Sequence, residues 1–351
     1  MFPYNQIVEL VFTFFFSLTT LFFLRKFAQH VGLVDKPNSR KLHNGAIPLV
    51  GGLSICLSLL YFLFNNQDII SHVNLYAFSI FILVTIGALD DKYDISFKLR
   101  MGVQAILSLA MMIVGDIELK TIGNILGVGA LDFGWFGYVI TIFAVIGAIN
   151  AFNMVDGIDG LLGGLSIVTF GGLGLLLTFY EQLNIAYFCI VLITIIVPYI
   201  LLNLGAFGRK RKVFMGDAGS MLIGFTVIWL LLLSSQEQQS MIRPVTALWL
   251  IAVPLMDMTA IIIRRVRRGD SPFKPDREHL HHIFQRLGFS STQTLIAICA
   301  IASLYAGIGI AGEVYGIPEY IMFYSFIVCF GIYLYFLMHI WLISKKIKHL
   351  L

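Results

Sequence analysis

The sequence predicts an all-α fold, a polytopic integral membrane bundle of about eleven transmembrane helices, on three observations. First, 58% of the 351 residues are apolar and only 13% are charged, whereas soluble globular chains carry about 25% charged residues. Second, apolar runs of about 20 residues, long enough to cross a hydrocarbon core, recur from end to end. Third, the basic residues are sorted. Of the 24 Lys and Arg, all but Lys120 and Arg243 fall on one set of alternating connections. The positive-inside rule makes the crowded side cytoplasmic. The N-terminus is then periplasmic and the C-terminus cytoplasmic, as an odd number of spans requires.

The runs lie near 4–24, 46–64, 74–89, 99–115, 135–152, 159–179, 184–203, 217–234, 244–263, 293–312 and 319–343. The first, opening "MFPYNQIVEL", lacks the positive n-region of a secretory signal and reads as a retained span. Between the fourth and fifth runs, "DIELKTIGNILGVGALDFG" (116–134) mixes turn glycines with short β-prone pieces and reads as a small outer β-hairpin. Cys56, Cys189, Cys299 and Cys329 sit inside apolar runs without a CxxC pair, which excludes a disulfide framework and favours small buried side chains. No repeat or linker divides the chain, so residues 1–351 form a single domain.

A carboxylate at mid-bilayer costs roughly 3 kcal/mol or more, so the positions of the acids carry information. "GALDDKYDIS" puts Asp90 and Asp91 at the inner end of the third span, "AFNMVDGIDGLLGG" puts Asn153, Asp156 and Asp159 between the fifth and sixth, and "KVFMGDAGS" puts Asp217 at the inner start of the eighth. Asp90 or Asp217 taken alone reads equally well as a helix cap. Asn153, Asp156 and Asp159 step in threes, which on a helix gathers an amide and two carboxylates on one face. Like charges so close need a cation between them, and Mg²⁺ takes carboxylate oxygens together with substrate phosphates. The loop 264–292 adds Arg264–Arg268 and "HLHH" (His279, His281, His282). In a helix His279 and His282 share a face. With no cysteine nearby, the histidines suit a diphosphate better than zinc. The basic runs alone signify no more than anchorage to anionic lipid. Carboxylates and cations at the cytoplasmic mouths of lipid-exposed helices suit phosphoryl transfer between a soluble donor and a lipid acceptor.

Five motifs in order, "VDKPNSRKLHNGAIPLVGG", "GALDDKYDIS", "NAFNMVDGIDGLLGG", "KVFMGDAGS" and "SPFKPDREHLHHIFQRLG", make nearly the whole chain resemble the polyprenyl-phosphate N-acetylhexosamine 1-phosphate transferases. "HLHH" and "DKPNSRKLH" place the resemblance in the bacterial branch that uses undecaprenyl phosphate and UDP-GlcNAc. The resemblance implies a multi-pass enzyme of the bacterial inner membrane, acting on its cytoplasmic face. It implies transfer of GlcNAc-1-phosphate to the lipid with release of UMP, Mg²⁺ or Mn²⁺ as cofactor, and a homodimer. It makes Asp217 and Asp91 metal ligands. Asp90 and Asp91 handle the lipid phosphate, one of them as base, although a phosphate monoester is already mostly ionised at neutral pH. Asn153, Asp156 and Asp159 shape the nucleotide and metal site. His279, His281, His282, Arg265 and Lys41 bind substrate. The alternatives are the same chemistry on another UDP-N-acetyl sugar, or a transporter of lipid-linked sugar. Charge gathered at one face argues against transport, which needs polar groups at mid-membrane. A CDP-alcohol phosphotransferase requires an Ala-Arg and later acids that "DGIDGLLGGLSIVTF" lacks.

Overall fold

The computed structural model describes residues 4–36, 45–236, 241–272 and 278–348, with side chains as far as His339. Among the described residues there are thirteen α-helices: α1 Tyr4–Val31, α2 Gly51–Asn65, α3 Val73–Tyr93, α4 Phe97–Gly115, α5 Phe136–Val155, α6 Leu161–Phe179, α7 Leu183–Asn203, α8 Gly216–Gln236, α9 Pro244–Leu250, α10 Ala252–Arg267, α11 Leu280–Arg286, α12 Ser291–Val314 and α13 Glu319–Lys348. Nine of these are long and apolar enough to cross a membrane, and α9 with α10 makes a tenth candidate, bent by 82°. The chain is a multi-pass helical membrane protein.

Two expected spans differ from the prediction, each for a local reason. Run 46–64 becomes α2, of 15 residues. At 1.5 Å per residue that is about 22 Å, short of a hydrocarbon core of about 30 Å. The missing length goes into β-structure: Ile47–Pro48 pairs antiparallel with Val34–Asp35, and Leu49 bridges to Phe214. Run 244–263 is broken at Ile251. Pro254 offers no N–H, and its ring would strike the carbonyl of residue 250 in a continuous helix, so α9 stops and α10 starts afresh at Ala252.

The expected hairpin at 116–134 is reduced to a single antiparallel bridge, Thr121 with Asp132, closed by Phe133 N–H donating to the Lys120 carbonyl at 2.9 Å. Toward the turn, Ile122 N–H donates to the Leu131 carbonyl and Leu131 N–H to that of Gly123, at 3.2 and 3.1 Å; away from it, Gln236 Oε1 takes the N–H groups of Lys120 and Thr121, at 3.0 and 3.1 Å.

Helix α8 is the axis of the bundle. Every residue from Ala218 to Gln236 is buried, and α3 and α5 pack along it most extensively. Small residues permit this, as they do between membrane helices generally. A Cβ on Gly87 would stand 2.3 Å from Ala218 Cα, and one on Gly52 2.1 Å from the Gly219 nitrogen. Gly87 lies one turn before Asp90, and Ala218 follows Asp217. The tight crossing of α3 with α8 therefore brings the acids of two distant motifs together.

Candidate active site

Four helix ends meet there. Asp91, on the last turn of α3, accepts hydrogen bonds from the backbone N–H groups of Asp217 (2.8 Å) and Ala218 (3.3 Å). The N-terminus of α8 is thus capped by a carboxylate from another helix, where the helix dipole favours negative charge. Asp217 is not the cap. Its own carboxylate accepts from Asn153 Nδ2 at 2.6 Å and from Arg100 Nη1 at 3.2 Å. Arg100, near the start of α4, also donates to Asp90. Asn153 in turn donates to Ser220 Oγ at 2.8 Å. The Asp90 side chain is 4% exposed and that of Asp217 36%, so Asp217 is the acid of this pair that a ligand reaches.

Asn153, Asp156 and Asp159 do not share a helical face. Helix α5 ends at Val155, Asp156 follows it, and Gly160 at φ +77° begins α6, so 156–160 is a loop. Asp159 accepts from Lys212 Nζ at 2.5 Å. The Asp156 side chain reaches solvent, yet the protein packed around it, and then the charges of Asp217 and Asp159, push its pKa up to about 7.

The histidine run lies against this loop. A Cβ on Gly157 would stand 2.0 Å from His281 Nε2, so the absence of a side chain at 157 lets the imidazole in. His279 is extended and precedes α11, which separates it from the face expected to hold it with His282. The rings instead form a series: His279 and His281 are parallel at 5.8 Å, and His281 and His282 lie 4.1 Å apart. His281 is 3% exposed, and its Nε2 has no hydrogen-bond partner among the described residues. Burial, followed by the neighbouring His282 and His279, pushes its pKa down to about 3, so it is neutral at physiological pH.

Arg265 is buried on α10 and donates to the Pro272 carbonyl. Lys41 lies outside the described residues. Four participants were not singled out from sequence: Arg100, Lys212, Ser220 and Asp257, which accepts from His279 Nδ1 at 2.8 Å. Arg100 and Lys212 were counted only as part of the basic side. Asp257, a lone acid in the apolar "PLMDMTAIII", was detectable as a carboxylate inside a span.

An apolar cavity of about 320 Å³ lies between α5, α8, α9 and α10, with no acid in its lining. Ala151 and Phe152 of α5, Leu231 of α8, Leu248 of α9 and Pro254 and Met258 of α10 contribute to its wall. It reaches along α5 to the residue before Asn153, and the elbow at Ile251 lets α9 and α10 enclose it.

The profile of glycosyl transferase family 4 matches residues 73–235, a range that contains every acid described above except Asp257. Over the whole chain, an undecaprenyl-phosphate alpha-N-acetylglucosaminyl 1-phosphate transferase of Yersinia pestis is 52% identical, covering 97% of this chain and 93% of the relative. Relatives of that same description from Escherichia coli K12 (50%; 97% and 93% covered) and Haemophilus influenzae (51%; 96% of each) are similar to it as well. The chain belongs to glycosyl transferase family 4. Within the family-4 profile fall α3 to α8, which carry the carboxylate half of the site. The histidine half lies beyond the profile but within the range aligned with these family-4 relatives.

Proposed function

We propose that the protein transfers GlcNAc-1-phosphate from UDP-GlcNAc to undecaprenyl phosphate, giving undecaprenyl-diphosphate-GlcNAc and UMP. The observation that carries this reading is a carboxylate cluster at four helix ends together with an apolar cavity whose wall runs along α5 as far as Phe152, the residue before Asn153. A polyprenyl chain lies in the cavity while its phosphate stands at the acids. The high similarity to family-4 relatives of that name supports the choice of substrates. The site lies at the cytoplasmic face of the bacterial inner membrane, in keeping with the sorted Lys and Arg. Such a product starts O-antigen or enterobacterial common antigen chains. The protein works as a homodimer.

A divalent cation, Mg²⁺ or Mn²⁺, fits the donor set. Asp217 is accessible, its neighbours Asp90, Asp91 and Asp156 are all oxygen donors, and burial leaves their charges poorly compensated. Among the described residues no three acids or imidazoles converge into a ready-made cage. Mg²⁺ needs none, because it binds through one or two carboxylates with waters and substrate phosphates. Asp217 and Asp91 would hold it, and when bound it supplies charge neutralisation at the diphosphate.

The remaining chemistry belongs to the side chains. An oxygen of the lipid phosphate forms a bond to the sugar-linked phosphorus, and the bond from that phosphorus to the UMP oxygen breaks. Arg100 orients Asp90 and Asp217 for the incoming phosphate. Asp90 and Asp91 handle the lipid phosphate, one of them as the base that takes the proton from the fraction of phosphate still carrying it. Asn153, Asp156 and Asp159 position the nucleotide, with Lys212 holding Asp159. His279, His281 and His282, with Arg265 and Lys41, hold the diphosphate and sugar.

The test gives purified protein undecaprenyl phosphate, Mg²⁺ and a panel of UDP-sugars, then separates the released nucleotide by chromatography. UMP with UDP-GlcNAc as best donor is expected, together with UMP-dependent reversal. UDP as the main product overturns the reading, since an ordinary glycosyltransferase leaves both phosphates on the nucleotide.

A further inference from the structure

Asp257, in the first half of α10, is 1% exposed. A carboxylate at such depth in an apolar helix is costly and marks a function for which a partner should be named. Asp257 has three donors: His279 through Nδ1 at 2.8 Å, the Leu280 backbone N–H at 3.0 Å and the Tyr333 hydroxyl at 2.7 Å. Two of them begin the histidine run, and the third comes from α13. On the same stretch of α10, Pro254, Leu255 and Met258 line the apolar cavity. One short length of helix therefore walls the cavity and grips the histidines.

The grip is directional. Taking the proton of Nδ1 fixes the ring of His279 and turns its Nε2 away from Asp257. Taking the Leu280 N–H at the same time stops the first turn of α11 from pivoting. His281, parallel to His279 and pressed on Gly157, inherits that orientation. Cohesion between these elements is already provided by the apolar cluster of Ala260, Ile261, Ile283 and Leu337, which joins α10, α11 and α13. The polar clamp beside it adds orientation.

We infer that Asp257, seconded by Tyr333, is a positioning residue that holds the His279–His282 run against the Asp156–Asp159 loop and thereby sets affinity for the diphosphate of the sugar nucleotide. The inference rests on the proposed transfer reaction. Asp257→Asn keeps the shape and can still accept from Leu280 and Tyr333, but its amide cannot accept the Nδ1 proton while donating its own. Tyr333→Phe removes one donor. In steady-state transfer with both substrates varied, KM for UDP-GlcNAc rises about tenfold or more in Asp257→Asn and severalfold in Tyr333→Phe. KM for undecaprenyl phosphate stays within about twofold. Ile283→Val, which thins the apolar cluster between the same helices, leaves the ratio of the two KM values unchanged.

Equal rises in both KM values, or a loss of turnover alone that tracks lowered thermal stability, overturn the inference in favour of a structural role. If Asp257→Asn does not fold, Tyr333→Phe decides, and wild-type KM values there overturn it. The nucleotide released by wild-type protein tests the reaction separately. Should it be UDP, calorimetric titration of UDP-GlcNAc into wild type and Tyr333→Phe still reads the clamp, and equal affinities overturn it.

Discussion

Gly157→Ala perturbs the contact between the two halves of the site with a single methyl group. The added Cβ stands 2.0 Å from His281 Nε2 and 2.3 Å from Cε1, whereas ordinary contact begins near 3.4 Å. Loop and ring must separate by about 1.4 Å. The ring has little room, being buried beside His279 and His282, and the run is gripped by Asp257. The loop yields instead and carries Asp156 with it. Misplacing reacting groups by about 1 Å costs on the order of 100-fold in rate, or about 2.7 kcal/mol in the barrier. Stability changes less: φ at 157 is not in the left-handed region, so the backbone there accepts alanine, its effect through the unfolded chain is about 1 kcal/mol or below, and the clash is relieved by movement of an exposed loop. The assay is UMP release with both substrates varied, beside thermal unfolding of the same preparation in detergent. Gly157→Ala should lose about 100-fold in kcat/KM with its unfolding temperature nearly kept. Because the clash requires the imidazole, Gly157→Ala combined with His281→Ala should be no worse than His281→Ala alone, a non-additivity expected of groups in contact. Wild-type turnover in Gly157→Ala would refute the idea that loop and histidine run form one site.

Three further outcomes are expected. Asp217→Asn folds, since the cap of α8 is Asp91, but loses nearly all transfer activity and needs more Mg²⁺ for what remains. Turnover against metal concentration, with exposed Asp68→Asn as control, checks this, and an unchanged metal response would leave Asp217 outside the metal site. His281 has a folded-state pKa near 3 against an ordinary 6.5, so the unfolded chain takes a proton that the folded protein refuses. Its contribution is present above pH 6.5 and lost as pH falls toward 3, and His281→Gln should flatten the decline of unfolding temperature between pH 7 and 5. A cysteine placed at Asp68 should react with an impermeant thiol reagent outside intact cells and one at Lys210 should not, and the reverse pattern would put the acids on the wrong side of the membrane.

The long apolar helices and the acids of the carboxylate cluster were legible because both signals are local. A span is recorded in its own composition, and Asp90, Asp91 and Asp217 each stand in a short motif at a helix end. Spacing rules failed wherever the helix they assumed had stopped. Asn153, Asp156 and Asp159 keep a period of three, but the glycines at 157 and 160 turn the chain out of the helix between them. His279 and His282 keep the same period, but His279 is the extended residue before α11. Partners from other segments were hidden for a different reason. Arg100 looks like any basic residue at a membrane surface until α4 is packed beside α3, and Asp257 is averaged away in the hydropathy of its run. The break at Ile251 depended on a single proline whose effect is on the residue four before it.

Helix α8, closed to lipid along its whole length, has a consequence for how the protein comes into being. The carboxylate of Asp91 that caps it is made 126 residues before the amide of Asp217 that it receives. A nascent chain that has just released Gln236 from the ribosome already owns every acid of the cluster, together with Arg100 and Asn153. It owns no histidine of the run and neither Asp257 nor Tyr333. Order of synthesis thus separates the half of the site that gathers charge from the half proposed to hold the diphosphate and sugar, and a chain grown only to Gln236 has the first without the second.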